Sequence, residues 1–384
     1  MRPPDARPAD TAAPPSTARW VLAALVLALG CAASGTWALS HGVRLGGLAA
    51  FSPALEPWPY LDMWVRWDSR WFLQIAREGY DFQPGAQSSV AFFPLYPLAV
   101  RAVALLGLSP ELAGIAVNLA CGLGAVALFH RWALRVGGPS LAGPATLLLV
   151  LWPFAFFLYG AVYSDALFLL LVVGAFLQLE RGAPLSAALL GALATATRPL
   201  APAVVLGLLA RQLELRLRAG QRPGPRDALP LLSAAGLLAY ALYQQLRFGN
   251  PLAFLDAQAG WDQSVGPASW LKPAFFLGGQ WRQYGRYGLP NAACALLFLG
   301  LLPAVRQRLG WGYALYTALA VGIPFLVSHA FVGLGRYALA GFPCFLALAA
   351  VLSPRPRLRA LYLAGSGVLL ALLAAKFAIG RFVA

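Results

Sequence analysis

Long apolar runs, each close to the roughly 20 residues that a bilayer crossing needs, recur from Trp20 to Ala384 with short Arg-bearing stretches between them. A chain built this way has lipid as its main solvent. Its composition agrees: 60% of the 384 residues are hydrophobic and 11% charged, and the mean hydropathy is +0.67. That leaves too little polar surface to coat a water-soluble globule. The runs are continuous Leu, Ala and Val without the period-two alternation of barrel strands, so the expected fold is all-α and polytopic.

A formal charge of +15 would suggest nucleic acid in a soluble protein, but here the Arg residues sit where helix ends meet lipid headgroups. No nucleic-acid partner is expected. Lys272 and Lys376 are the two lysines. Such an excess of Arg, in an Ala-rich chain, has the look of a GC-rich bacterial genome. Cys31, Cys121, Cys294 and Cys344 lie inside apolar runs with no paired spacing, and neither a disulfide nor a zinc framework follows.

Residues 1–18, rich in Pro, Ala and Thr with Arg2 and Arg7, are expected to be a disordered cytoplasmic tail. Residues 19–384 then form one integral membrane domain. The clusters Arg131/Arg135, Arg181, Arg211 to Arg226, Arg306/Arg308 and Arg355/Arg357/Arg359 should share the cytoplasmic side. That pattern holds if 94–108 lies in the outer interface as a juxtamembrane helix, which makes 41–110 a long first extracytoplasmic loop. A second large outward loop spans 247–288, and the bundle comes to about 11 transmembrane segments. The segment 183–210, broken by Thr197-Arg198-Pro199 and Pro202, reads as two short helices meeting at Arg198 on the outer side. A broken helix at membrane depth lines a protein cavity, which makes Arg198 a site candidate.

The first outward loop crowds acids among aromatics: Asp62, Asp68, Glu78 and Asp81 beside Trp58, Tyr60, Trp64, Trp67, Trp71 and Phe72. Aromatics at an interface are ordinarily anchors. A carboxylate near the outer leaflet is harder to place, and two roles for Asp68 stand open: proton acceptor from a hydroxyl, or structural partner of Arg66 or Arg70.

The run Trp67-Asp68-Ser69-Arg70-Trp71-Phe72-Leu73-Gln74-Ile75-Ala76-Arg77-Glu78-Gly79-Tyr80, followed by Ala91-Phe92-Phe93-Pro94-Leu95-Tyr96-Pro97-Leu98, resembles the signature of the PIG-V mannosyltransferases. Tyr163-Ser164-Asp165-Ala166-Leu167-Phe168, Ala196-Thr197-Arg198-Pro199, Gly249-Asn250-Pro251-Leu252-Ala253-Phe254 and Gly335-Arg336-Tyr337-Ala338 add to it in the same order. The resemblance implies a GT-C type glycosyltransferase. Such an enzyme would move a hexose, mannose first among them, from a polyprenyl-phosphate donor to an extracytoplasmic lipid, glycan or protein acceptor with inversion. The setting would be a bacterial cytoplasmic membrane, with the site on its outer face.

Carried onto these residues, the resemblance makes Asp68 the catalytic base and Trp67, Arg66, Asp165, Arg198, Arg336 and Tyr337 substrate contacts. The departing lipid phosphate gains negative charge, so an arginine there favours the transition state. Arg198 and Arg336 are the first choices, with Lys272 and His329 behind them, and Asp62 is a second-choice base. Asp165 could orient a sugar hydroxyl, assist Asp68 or simply cap the helix that follows it. No metal cofactor is expected, since the sequence has no Asp-x-Asp pair or His cluster, and no glycine-rich loop suits a nucleotide sugar. The competing reading is a non-catalytic carrier or flippase of lipid-linked sugars.

Overall fold

The computed structural model describes residues 16–41, 55, 58–261 and 263–383. Most of the expected tail, 1–15, and much of the first loop, 42–54, lie outside the described residues. Within them the chain is helical, with one isolated antiparallel bridge between Gln263 and Ser328. The principal helices are α1 Thr17–Ser40, α2 Ser69–Glu78, α3 Leu95–Ala104, α4 Pro110–Gly137, α5 Pro139–Val150, α6 Asp165–Glu180, α7 Pro184–Thr195 and α8 Ala201–Arg218. They continue with α9 Ala235–Phe248, α10 Ala253–Gln258, α11 Gln280–Gly300, α12 Leu302–Leu309 and α13 Trp311–Val327. The last are α14 Leu334–Tyr337, α15 Pro343–Leu352 and α16 Pro356–Ala378.

Among the described residues, four stretches are long and apolar enough to cross a membrane: α1, α4, Gly285–Leu309 (α11 running into α12) and α16. A fifth results if Leu334–Ala340 and α15, bent by 94°, are one broken span. An all-α polytopic membrane protein is what the apolar runs specify, but some of those runs hold helices shorter than their hydropathy suggests. The run 140–160 is helical only to Val150, about 18 Å, because Trp152 and Pro153 start an irregular segment that leads to α6. The apolar α3 is ten residues long, about 15 Å, which is too short to span.

Helix α6 is the centre of the bundle. Thirteen of its sixteen residues are buried, so it is enclosed on every side rather than amphipathic. It packs along α4, and the irregular segment between α5 and α6 also presses on α4. A Cβ at Gly122 would come 1.8 Å from the Leu158 carbonyl oxygen, so only glycine allows that approach. Asn118, buried on α4, fixes the segment through its side-chain amide. Nδ2 donates to the Phe157 and Tyr163 carbonyls (3.0 and 3.1 Å), and Oδ1 accepts from the Gly160 N–H (2.9 Å).

The two ends of α6 carry different chemistry, separated by roughly 24 Å of helix. At the C-terminal end, Glu180 accepts from Arg211 Nε (2.7 Å) and the Tyr313 hydroxyl (2.8 Å), and Arg135 donates to the Glu180 carbonyl. Arg211 also reaches Glu214 at 2.8 Å. With Arg181 at the helix C-cap, arginines of three of the predicted clusters share this end. At the N-terminal end lie Asp165 and the break between α7 and α8. The two short helices expected in 183–210 are present, and they stop where Pro199 and Pro202 forbid a continuous helix. The carbonyls freed at the end of α7 are met by Thr197 Oγ1, which donates to the Leu193 carbonyl, and by the Leu95 N–H, which donates to that of Ala196.

Candidate active site

Asp68 immediately precedes α2, the position from which an aspartate usually caps the first turn. Its carboxylate makes no such bond. Trp67, directly before it, has φ +55°, a left-handed conformation that costs a non-glycine residue about 1 kcal/mol. This turn aims the Asp68 side chain into a cavity of about 950 Å3. The Tyr163 hydroxyl accepts the Asp68 backbone N–H at 3.1 Å and so holds the turn from the segment that Asn118 fixes.

Across the cavity stands Arg336 on α14, with Nη1 3.4 Å from Asp68 Oδ2 and Nε 3.9 Å from Asp165 Oδ2. Its guanidinium lies over the rings of Tyr163 (4.8 Å), Tyr337 (4.9 Å) and Phe157 (5.3 Å), and Nη2 donates to the Tyr337 hydroxyl at 3.1 Å. Arg198, at the helix break, pairs with Asp165 Oδ1 and lies over the other neighbours of that ring system, Tyr337 (4.9 Å) and Phe168 (5.8 Å). Tyr337 therefore contacts both arginines. Helix α14 is itself pinned by Trp152 Nε1 donating to the Gly335 carbonyl (2.9 Å) and by the Gly335 N–H donating to Asn291 (2.7 Å).

The two aspartates are in unlike settings. The Asp165 side chain is 2% exposed and shared between two guanidiniums, at a helix N-terminus that favours its charge. It neither caps α6 through a side-chain bond nor stands free to take a proton. The Asp68 side chain is 32% exposed, with one loose ionic contact at 3.4 Å. Asp68, Asp165, Arg198, Arg336 and Tyr337 all line this cavity.

Other candidates are placed elsewhere. Arg66 is 5% exposed and donates to Asp62 Oδ2 (2.7 Å), to the Ala378 carbonyl (2.8 Å) and to the carbonyls of Asp62 and Val65. It faces the C-terminal end of α16 and does not line the cavity. Its partner Asp62 also accepts the Leu55 N–H at 3.3 Å, and an acid so engaged and buried is not placed to serve as base. Neither Arg66 nor Arg70 pairs with Asp68; the partner is Arg336, distant in sequence, and Arg70 lies over Trp71. Trp67 packs its edge on Phe382 (5.1 Å) rather than lining the cavity.

Lys272 donates to the Ser269 and Ser328 carbonyls and lies over Phe331 (4.8 Å), where burial pushes its ammonium down to about 8. His329 shares a hydrogen bond with Ser264 Oγ at 2.8 Å. Both tie the 259–279 segment to the end of α13, and neither lines the cavity. Tyr163 is the participant that motif reading named without giving a role. Among the described residues no group of three His, Cys, Asp or Glu side chains could hold a metal ion.

The rest of the cavity is apolar, walled by Leu237 of α9, Leu252, and Ile323, Pro324 and Val327 of α13. A charged pole and a long apolar wall in one space suit an amphiphile with an anionic head.

Residues 58–214 match the family Mannosyltransferase (PIG-V). The chain is 38% identical over 144 residues to GPI alpha-1,6-mannosyltransferase 2 of Cricetulus griseus, which is 35% of this chain and 28% of that protein. It is 38% identical over 169 residues to the Rattus norvegicus protein of that name and 36% identical over 169 residues to the Homo sapiens one, in each case 39% of this chain and 33% of the relative. The chain thus spans a third or less of the length of these relatives. Residues 58–214, which carry Asp68, Tyr163, Asp165 and Arg198, are PIG-V-like in sequence, and this chain brings Arg336 to them from outside that stretch.

Proposed function

We propose that this chain is a glycosyltransferase that moves a hexose, mannose in the first instance, from a polyprenyl-phosphate donor to an acceptor hydroxyl. The site would open on the extracytoplasmic face of a bacterial cytoplasmic membrane, opposite the arginine-rich end of α6. The observation that carries this reading is the contrast between its two cavity aspartates: Asp165 is locked between two guanidiniums, whereas Asp68 stands partly exposed 3.4 Å from one of them.

Asp68 takes the proton of the acceptor hydroxyl, and the oxygen attacks the anomeric carbon. The bond from that carbon to the phosphate oxygen breaks, and the electron pair leaves with the lipid phosphate. Attack opposite the leaving group inverts the anomeric centre. The phosphate passes from a monoanionic diester to a monoester with greater charge, so Arg198 and Arg336 stabilise the product side more than the ground state. Asp165 offsets one of the two guanidiniums and the Asp68 carboxylate faces the other, so the site gains one positive charge when Asp68 takes the acceptor proton, as the leaving phosphate gains one negative charge. The apolar wall formed by α9 and α13 takes the lipid chain.

Sugar transfer from a synthetic polyprenyl-phosphate mannose in proteoliposomes tests this reading. The wild type transfers, and Asp68→Asn lowers turnover by about 10^3 while still binding donor. A carrier, the alternative reading, moves the lipid-linked sugar across the bilayer with no new glycosidic bond, and its rate survives Asp68→Asn. That pattern would refute the enzymatic assignment.

A further inference from the structure

The cavity is electrically lopsided. Both of the arginines that line it, Arg198 and Arg336, stand on the Asp165 side. Another part of the rim comes from α10 and the turn after it, where Asp256, Gln258, Gln263 and Ser264 line the same space. Among the described lining residues this rim offers one carboxylate, two amides and a hydroxyl, with no cation. Lys272, on the segment that follows, is engaged by the Ser269 and Ser328 carbonyls.

The rim is held in place from both sides. On one side, Gln87 Nε2 donates to the Gly260 carbonyl at 3.1 Å, and Trp261 packs on Trp71 (5.6 Å) and Phe92 (5.5 Å), joining it to the helix that Asp68 begins. On the other, the Gln263–Ser328 bridge and the Ser264–His329 bond fasten it to the end of α13. Asp256 is exposed; one carboxylate oxygen accepts from Asn250 Nδ2 at 2.6 Å, and the carboxylate keeps further lone pairs for a ligand. The side-chain amide of Gln258 makes no hydrogen bond with the described residues. All four lie outside residues 58–214, so this rim belongs to the part of the chain that the family match does not reach.

We infer that Asp256, Gln258, Gln263 and Ser264 form an acceptor subsite that selects an uncharged polyhydroxyl head group and rejects an anionic one. Hydroxyl groups donate to the carboxylate and exchange hydrogen bonds with the amides, and a carboxylate or phosphate on the acceptor meets Asp256 with no cation among the described residues of this rim to offset it. The inference rests on the transferase reading for the word acceptor, but the binding preference stands or falls separately.

The full chain in nanodiscs free of sugar detergent is titrated with octyl hexopyranoside and with octyl hexopyranosiduronate, and both are offered as acceptors alongside polyprenyl-phosphate mannose. The wild type binds the neutral glycoside at least tenfold more tightly. Asp256→Arg erases or reverses that preference, Gln258→Arg narrows it, and Asp68→Asn keeps it while abolishing transfer. Equal binding of the two glycosides by the wild type, or an unchanged preference in both arginine variants, overturns the subsite. A wild type that shows the Asp256-dependent preference and transfers sugar to neither compound overturns the transferase reading and leaves the subsite intact.

Discussion

Arg336 holds its Nη1 3.4 Å from Asp68 while its Nε lies 3.9 Å from Asp165, so one guanidinium from outside residues 58–214 faces two acids within them. The cation is fixed less by these long contacts than by three aromatic rings and the Tyr337 hydroxyl. A planar guanidinium stacks on such rings in a way that a lysine ammonium cannot. Arg336→Lys is therefore expected to keep the charge and lose the function. Turnover should fall about 100-fold, through lost placement of charge at the leaving phosphate. Steady-state transfer kinetics check this, and near-wild-type turnover would show that a point charge suffices.

Asp165→Asn tests the opposite proposition, that this acid is structural. Its removal leaves the buried Arg198 and Arg336 without their shared counter-ion, and breaking a buried pair in this way costs about 3 kcal/mol. A lowered thermal midpoint of the purified protein is the expected outcome. Asp68→Asn, whose side chain is a third exposed, should melt close to wild type. Equal melting of Asp165→Asn and wild type would return Asp165 to the list of groups free to touch substrate.

Tyr163→Phe keeps the ring beneath Arg336 and removes the oxygen that accepts the Asp68 N–H. A backbone donor left unmet in a buried turn costs about 1–3 kcal/mol, and the turn can relieve it by rotating, which re-aims the Asp68 carboxylate. Turnover is expected to drop about tenfold with the donor KM unchanged, because displacement of a base affects the transition state and not donor binding. A rise in donor KM at constant turnover would mean that Tyr163 serves the arginines alone.

Much of this was legible in the sequence, for reasons that differ by residue. The lipid environment follows from apolar run length, and the break at Arg198 follows from Pro199 and Pro202, because both are local properties. Asp68 could be singled out by its motif, yet its partner could not: Arg66 and Arg70 are its neighbours in sequence, whereas the residue that faces it is 268 positions away. Arg66 shows the same limit from the other side. An arginine beside an acid in an outward loop reads as a ligand, and only packing reveals that Asp62 and the Ala378 carbonyl already occupy it. The end of helix inside the apolar run 140–160 was not legible, because hydropathy records burial, and a buried irregular segment braced by Asn118 is as apolar as a helix.

That brace supplies the last test. Gly122 lets α4 approach the Ala155–Leu158 turn so closely that a methyl group there would lie 1.8 Å from the Leu158 carbonyl oxygen. Backbone cannot yield to that as a flexible side chain does, so Gly122→Ala must push the 155–163 segment off α4. The displacement would pull the Phe157 and Tyr163 carbonyls from Asn118, and with them the Tyr163 hydroxyl from Asp68. Gly122→Ala is expected to cost about 2 kcal/mol of stability by overpacking and to lower turnover at least as far as Tyr163→Phe does, although it touches no cavity residue. The double variant should then show no further loss of turnover beyond Gly122→Ala alone, since both act through one hydrogen bond. Losses that multiply would separate the helix contact from the placement of Asp68.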